Sequence, residues 1–314
     1  MIGRRGVLAG LVGAGMLTLT GCSEKVTKAL GFAQRMIDIE KRHGGRIGVS
    51  ALTGHPSSDA SQNGTLSIQS EDRFAMCSTF KWVLAAHVLK RVDDGQLKLS
   101  QVVKYGKADL LDYAPVSKAN VAKGQMTLLE LCAAMVEASD NTAANLVLGL
   151  TGGPSGLTAF VRALGDTVTR FDRTEPSLNT NSEKDERDTT TPAAMSTLLR
   201  TVYTGRVLKA ESLAQLKAWM VAVTTGDKRI RAGVPQGSVV ADKTGTGENG
   251  ATNDVAIIWP PNEPPVFLSI YTSGGTLDAD GRNAVIADIT QLVFDTLGFI
   301  GTLDHDPEST SASS

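Results

Sequence analysis

Apolar positions along the chain keep two different periods, and the changes between them divide it. From Ser78 to Val92, the residues Phe80, Val83, Leu84, Val88 and Val92 recur at the spacing of one helix face. Phe32, Met36, Ile37 and Ile39 predict an earlier helix, from about Phe32 to His43. RIGVSAL (Arg46 to Leu52) alternates and is β-rich, and GTLSIQ (Gly64 to Gln69) follows after a loop, so both read as strands. TLLELCAAMVEA carries Thr127 and Glu130 three apart, a capping box that marks a helix start. DNTAANLVLGL reads as the next helix, closed by Gly152, Gly153 and Pro154. Thr191 followed by Pro192 marks another start, because proline suits the first helical position. SLAQLKAWMVAV is amphipathic. The last third returns to strands in SVVADKTGTG, DVAIIWP and VFLSIYTS, which Gly, Asn and Pro clusters separate. A final helix is expected from about Arg282 to Leu297.

The order is helix, strands, many helices, strands, helix. It predicts an α/β (α+β) fold with one antiparallel sheet flanked by helices and built from both chain ends. An all-helical lobe, about residues 70–220, is inserted between the strands. A site is expected in the cleft where lobe and sheet meet. Residues 23–31 read as a tether and 32–300 as the catalytic domain. Residues 301–314 are polar, have little to anchor them and read as a disordered tail.

Composition narrows function mainly by exclusion. The 314 residues are 41% hydrophobic and 20% charged, with a net charge of −2, as in ordinary globular proteins. No basic domain or Lys/Arg run interleaved with aromatics points to nucleic acid. His43, His55, His87 and His305 are scattered, without the spacing of a zinc hydrolase, so no metal and no cofactor is expected. The glycines of TGGPSG follow a helix rather than a strand and are not a nucleotide loop.

The N-terminus reads as an export signal. Arg4 and Arg5 precede an apolar run from Gly6 to Thr20 that is too short to span a membrane. The arginine pair suggests twin-arginine export. Leu19-Thr20-Gly21-Cys22 resembles a bacterial lipobox, so residues 1–22 are expected to be removed or processed, with Cys22 as a possible lipid anchor. Cys77 and Cys132 remain, and both read as buried free thiols.

Within MCSTFKWV, Ser78 and Lys81 stand three apart and share a helix face. A desolvated lysine beside a serine can serve as its base. A surface lysine and a capping serine satisfy the same spacing. Three further motifs decide between these readings: Ser139-Asp140-Asn141 at a helix junction, Glu175 to Asn179 (EPSLN) in a polar stretch, and Lys243 to Gly247 (KTGTG) on a predicted strand. In this order, with an E-x-x-L-N between, the set resembles the class A serine β-lactamases, over about residues 32–298. DERDTTTP and KRIRAG are similar to mycobacterial and related actinobacterial members.

The resemblance implies a β-lactam hydrolase that works through an acyl-enzyme on Ser78, a monomer that takes a small-molecule β-lactam. It implies oxyanion donors at the Ser78 and Thr246 N–H groups. Either Lys81 or Glu175 takes the serine proton, and Ser139 relays a proton to the leaving nitrogen. Asn141 would bind the acylamido group, and Lys243, Thr244 and Thr246 the substrate carboxylate. Glu175, helped by Asn179, would activate the deacylating water. Arg173 and Asp188 would close the loop that carries Glu175. Asp140 reads as structural.

Thr252 stands where many members carry an arginine, and the resemblance passes that carboxylate role to Arg229. Tyr113 matches an aromatic at the mouth of the site, although a core or surface tyrosine fits as well. The usual disulfide partners of Cys132 and Cys77 are Ala85 and Gly247 here. Two alternatives stay open: a D-alanyl-D-alanine peptidase, or a penicillin sensor that acylates once. Glu175 argues against both.

Overall fold

The computed structural model describes residues 19–54 and 64–298, with side chains from residue 30 onward. Helix α1 (Leu19–His43) leads into strands β1 (Gly45–Thr53) and β2 (Thr65–Ile68). A short β3 (Phe74–Ala75) precedes a 3-10 turn, Cys77–Thr79, which runs into α2 (Phe80–Asp93). The lobe continues with β4 (Val102–Lys104), α3 (Pro115–Asn120), β5 (Gln125–Thr127), α4 (Leu128–Glu137), α5 (Asn141–Leu150) and α6 (Gly153–Ala163). A long loop then leads to β6 (Thr189–Thr190), α7 (Pro192–Thr204), α8 (Ala210–Val221) and the short α9 (Ile230–Gly233). Strands β7 (Val239–Thr246), β8 (Thr252–Trp259) and β9 (Val266–Gly274) and helix α10 (Ala279–Leu297) close the chain.

The sheet runs β2-β1-β9-β8-β7 with every pairing antiparallel, so its two halves come from the two ends of the chain. Strand periodicity sorts the side chains into two cores. Val266, Leu268 and Ile270 of β9 join Ile47 and Val49 of β1, Phe32 and Met36 of α1, and Ile286 and Val293 of α10. Phe267 and Tyr271, one residue out of phase, join Trp82, Leu199 and Leu216 on the lobe side. With both faces covered, β7, β8 and β9 are buried along most of their length and lose the polar alternation of a half-exposed strand.

The helix starts follow the expected chemistry. Thr127 and Glu130 form the reciprocal capping box, and the Thr191 hydroxyl caps α7 with Pro192 in its first turn. Several boundaries move. Residues 23–31, expected as a tether, are helical backbone within α1. The last helix starts at Ala279, where Asp278 accepts the Gly281 N–H. Gly153 and Pro154 open α6 rather than only ending α5, since proline in the first turn costs no hydrogen bond. The lobe is not purely helical: β4 pairs with β5, and β3 with β6. These pairs are only two or three residues long, too short to show a period. The export signal falls outside the described residues except for its last four, and the expected tail lies wholly outside them.

Candidate active site

Ser78 sits in the 3-10 turn that opens α2, half-buried at the junction of lobe and sheet. One helical turn on, Lys81 is fully buried, and its Nζ lies 2.9 Å from Ser78 Oγ. The same ammonium reaches the Ser139 carbonyl at 2.9 Å, Asn141 Oδ1 at 2.5 Å and Glu175 Oε1 at 2.9 Å. Burial pushes the Lys81 pKa down, while the Glu175 charge and hydrogen bond push it back up. Ser78 Oγ also lies 3.3 Å from Glu175 Oε1, so hydroxyl, ammonium and carboxylate form one closed cluster.

Asp140 fixes the second motif. It caps α5 through the Ala143 N–H and accepts from the Val116 and Ser117 N–H groups and the Ser117 hydroxyl. Its neighbours Ser139 and Asn141 are thereby aimed at Lys81, with Ser139 at a φ of 56°. Lys243 Nζ lies 3.2 Å from Ser139 Oγ on the opposite side. Lys243 is fully buried, and desolvation together with the Lys81 charge lowers its pKa to about 7.

Glu175 is held from two directions. Asn145 on α5 accepts the Glu175 N–H at 2.9 Å and donates to its carbonyl at 2.8 Å. Asn179 donates to Glu175 Oε2 at 2.5 Å. At the base of the loop Asp188 accepts from Arg173 Nε at 2.6 Å and from the Asp172 and Arg173 N–H groups. The expected Arg173–Asp188 staple is therefore in place.

Strand β7 forms the other wall. Gly245 faces the nucleophile turn, and a Cβ there would come within 2.7 Å of the Met76 carbonyl. Glycine is what lets the strand pack so closely. The Gly247 N–H donates to the Ala251 carbonyl, so Thr246, one residue earlier, turns its N–H away from β8 toward the open sheet edge. The Ser78 N–H lies in a first helical turn, where no preceding carbonyl of the helix can accept it.

Arg229 Nη2 donates to Thr246 Oγ1 at 2.7 Å, and Nη1 to the Gly245 and Asn253 carbonyls at 3.0 and 2.8 Å. Thr244 Oγ1 pairs with Thr225 Oγ1 at 2.5 Å. Tyr113 is a surface tyrosine, 52% exposed, that touches the site through its carbonyl, which accepts the Asn141 N–H. Cys77 and Cys132 are both free and buried, and burial pushes the Cys77 thiol up to about 12. Sequence reading missed Asn145, because a lone asparagine in a helix carries no motif. It also missed Arg282, whose Nε donates to Thr252 Oγ1 at 3.1 Å.

A serine bonded to a buried lysine, a carboxylate within reach of both, and two backbone amides, one in the nucleophile turn and one on the sheet edge, define a serine acyl-transfer enzyme. The chain matches the β-lactamase enzyme family over residues 31–297. It is 42% identical to β-lactamase OXY-2 of Klebsiella oxytoca, over 84% of this chain and 89% of that one. It is 40% identical to β-lactamase AST-1 of Nocardia asteroides, over 94% and 96%. A solved class A β-lactamase representing the last common ancestor of Gram-negative bacteria superposes with a TM-score of 0.81 at 50% identity, covering 85% of this chain and 99% of its own. The chain belongs to the class A β-lactamases.

Proposed function

We propose that the chain opens the β-lactam ring of penicillins and cephalosporins through an acyl-enzyme on Ser78, conferring β-lactam resistance. Ser78 Oγ attacks the ring carbonyl and its proton passes to the Lys81–Glu175 pair. The oxyanion is held by the Ser78 and Thr246 N–H groups. Collapse breaks the C–N bond, and the nitrogen takes a proton through Ser139, which bridges Lys81 and Lys243. Lys243, Thr244, Thr246 and Arg229 bind the substrate carboxylate, and Asn141 binds the acylamido group, with Tyr113 at the rim. Glu175 then takes a proton from water as the water attacks the ester, and Ser78 leaves with its proton restored.

The observation that carries this reading is Glu175 Oε1 at 3.3 Å from Ser78 Oγ, a base beside the ester that must be hydrolysed. A D-alanyl-D-alanine peptidase or a penicillin sensor keeps the acyl group it receives from a β-lactam, because neither activates a water against that ester. The proposal extends to export of a monomer by its N-terminal signal, with acylation at Cys22. The test mixes the soluble chain, beginning after Cys22, with excess chromogenic cephalosporin and follows ring opening and protein mass together. Many turnovers without a lasting adduct are expected. One equivalent consumed and a persistent adduct would mean a sensor or a peptidase.

A further inference from the structure

Two turns meet beside Glu175, and none of the motifs assigns a role to the contact. One is the far side of the Glu175 loop, residues 179–181, and the other is the β7–β8 turn, residues 247–250. The Glu248 N–H donates to the Asn179 carbonyl at 2.9 Å. Asn249 Nδ2 donates to the Thr180 and Asn181 carbonyls, both at 3.1 Å. In return, Asn181 Nδ2 lies 3.2 Å from the Glu248 carbonyl, 3.1 Å from that of Asn249 and 3.0 Å from Ser273 Oγ on β9. The fit is tight, since a Cβ on Gly247 would fall 2.7 Å from the Asn179 carbonyl.

Asparagine at positive φ is ordinarily a turn residue whose amide bonds its own backbone. Asn181 and Asn249 have that backbone, with φ of 42° and 49°. Their amides nevertheless cross to the other turn, 67 to 69 residues away in sequence for the carbonyl contacts. Turn geometry accounts for the residue type but not for this exchange.

We infer that Asn181 and Asn249 are positioning residues for deacylation, a role that rests on the reading of Glu175 given above. The clasp fixes the stretch that begins at Asn179, and Asn179 holds Glu175 Oε2. The near side of the loop has its own supports in Asn145 and the Arg173–Asp188 pair. Losing the clasp loosens the far side, which then keeps the Arg173 Nη1 bond to Thr180 Oγ1 at 3.0 Å. Acylation depends on Ser78, Lys81 and the oxyanion donors; the clasp amides reach neither Ser78 nor Lys81, and Thr246, next to the clasp turn, is held separately by Arg229. The water step depends on Glu175 and Asn179 together, so it slows. The clasp also ties the strand that binds the substrate carboxylate to the loop that completes the reaction.

The test compares Asn249→Asp, Asn249→Gly, Asn181→Gly and the double glycine variant with the unmutated chain. Glycine keeps the left-handed backbone without the amide, and aspartate keeps the shape without the donors. With a penicillin as probe, kcat and KM are expected to fall together, by about five- to twentyfold, while kcat/KM stays within about twofold. The acyl adduct should accumulate, and the double variant should be no worse than the more affected single one. Amide exchange should quicken in residues 176–182 when only Asn249 is changed. A fall in kcat at constant KM, or exchange unchanged in that segment, would overturn the clasp. If the unmutated chain fails to turn over penicillin, the reading of Glu175 fails, and the exchange result alone decides whether the clasp exists.

Discussion

Lys81 and Lys243 flank Ser139, and both are fully buried, yet their settings are opposite. Lys81, on the lobe wall, has a carboxylate at 2.9 Å and three oxygen acceptors besides Ser78. Lys243, on the sheet wall, has among the described residues only a serine hydroxyl and the Thr244 carbonyl within hydrogen-bond distance. Arg229 adds a second cation to that wall. The lobe wall is thus balanced in charge and arranged to move protons. Among the described residues neither sheet-wall cation has a carboxylate at salt-bridge distance, although the buried Asp242 and Asp254 lie close enough to push both pKa values back up against desolvation. A buried charge without a direct partner is costly, and on the proposed reading the substrate carboxylate supplies that partner.

The lobe wall should break hardest. Ser78→Ala removes the atom that forms the acyl-enzyme and should lower kcat by about 10⁴-fold or more, with no adduct in the mass spectrum. Glu175→Gln should come next. It keeps the shape and the contact with Asn179 but cannot accept a proton from water. The expected result is a long-lived adduct and kcat down about 10³-fold, with kcat/KM reduced less. Rapid turnover by this variant would show that Glu175 is not the deacylation base.

On both walls sequence revealed local contacts and missed distant ones. Ser78 and Lys81, the Asp140 cap and the K-T-G strand were legible because their chemistry is local, set by residues within a helical turn or a single strand. The sheet was legible because its strands are β-rich and lie at both chain ends. Asn145 and the Asn181–Asn249 contact were not, because each acts across 30 or more residues and neither sits in a spaced pattern. The short strands of the lobe escaped for a different reason. Two residues, as in Phe74–Ala75, carry no period, and their pairing is imposed by the elements around them.

On the sheet wall the effect should be smaller and should depend on pH. Lys243 is charged below its pKa of about 7 and neutral above it. If a charged Lys243 attracts the substrate carboxylate as proposed, kcat/KM should hold steady below pH 7 and decline as the pH rises above it. The decline should reach about tenfold one to two units higher. Bound carboxylate raises the Lys243 pKa, so kcat itself should decline only at higher pH. Lys243→Ala should erase this limb along with about ten- to hundredfold of kcat/KM. The methyl ester of the same substrate should show no such limb. A limb that persists with the ester would assign the titration to another group.

The gentlest probe of the comparison is Arg229→Lys. The charge is kept, but one guanidinium now bonds four groups: Asn283 Oδ1, the carbonyls of Gly245 and Asn253, and Thr246 Oγ1. Lysine offers a point charge with no planar fork and cannot reproduce that set. If the sheet wall needs only positive charge, KM for a carboxylate substrate should barely move. If Arg229 also aims the Thr246 hydroxyl, KM should rise about three- to tenfold, with little change in kcat. The methyl ester should be nearly indifferent to the substitution. The second outcome is expected, because Arg229 reaches β7 through Thr246 and the Gly245 carbonyl. A fall in kcat with the ester as well would place the defect on the lobe wall, through the packing of Gly245 against the nucleophile turn.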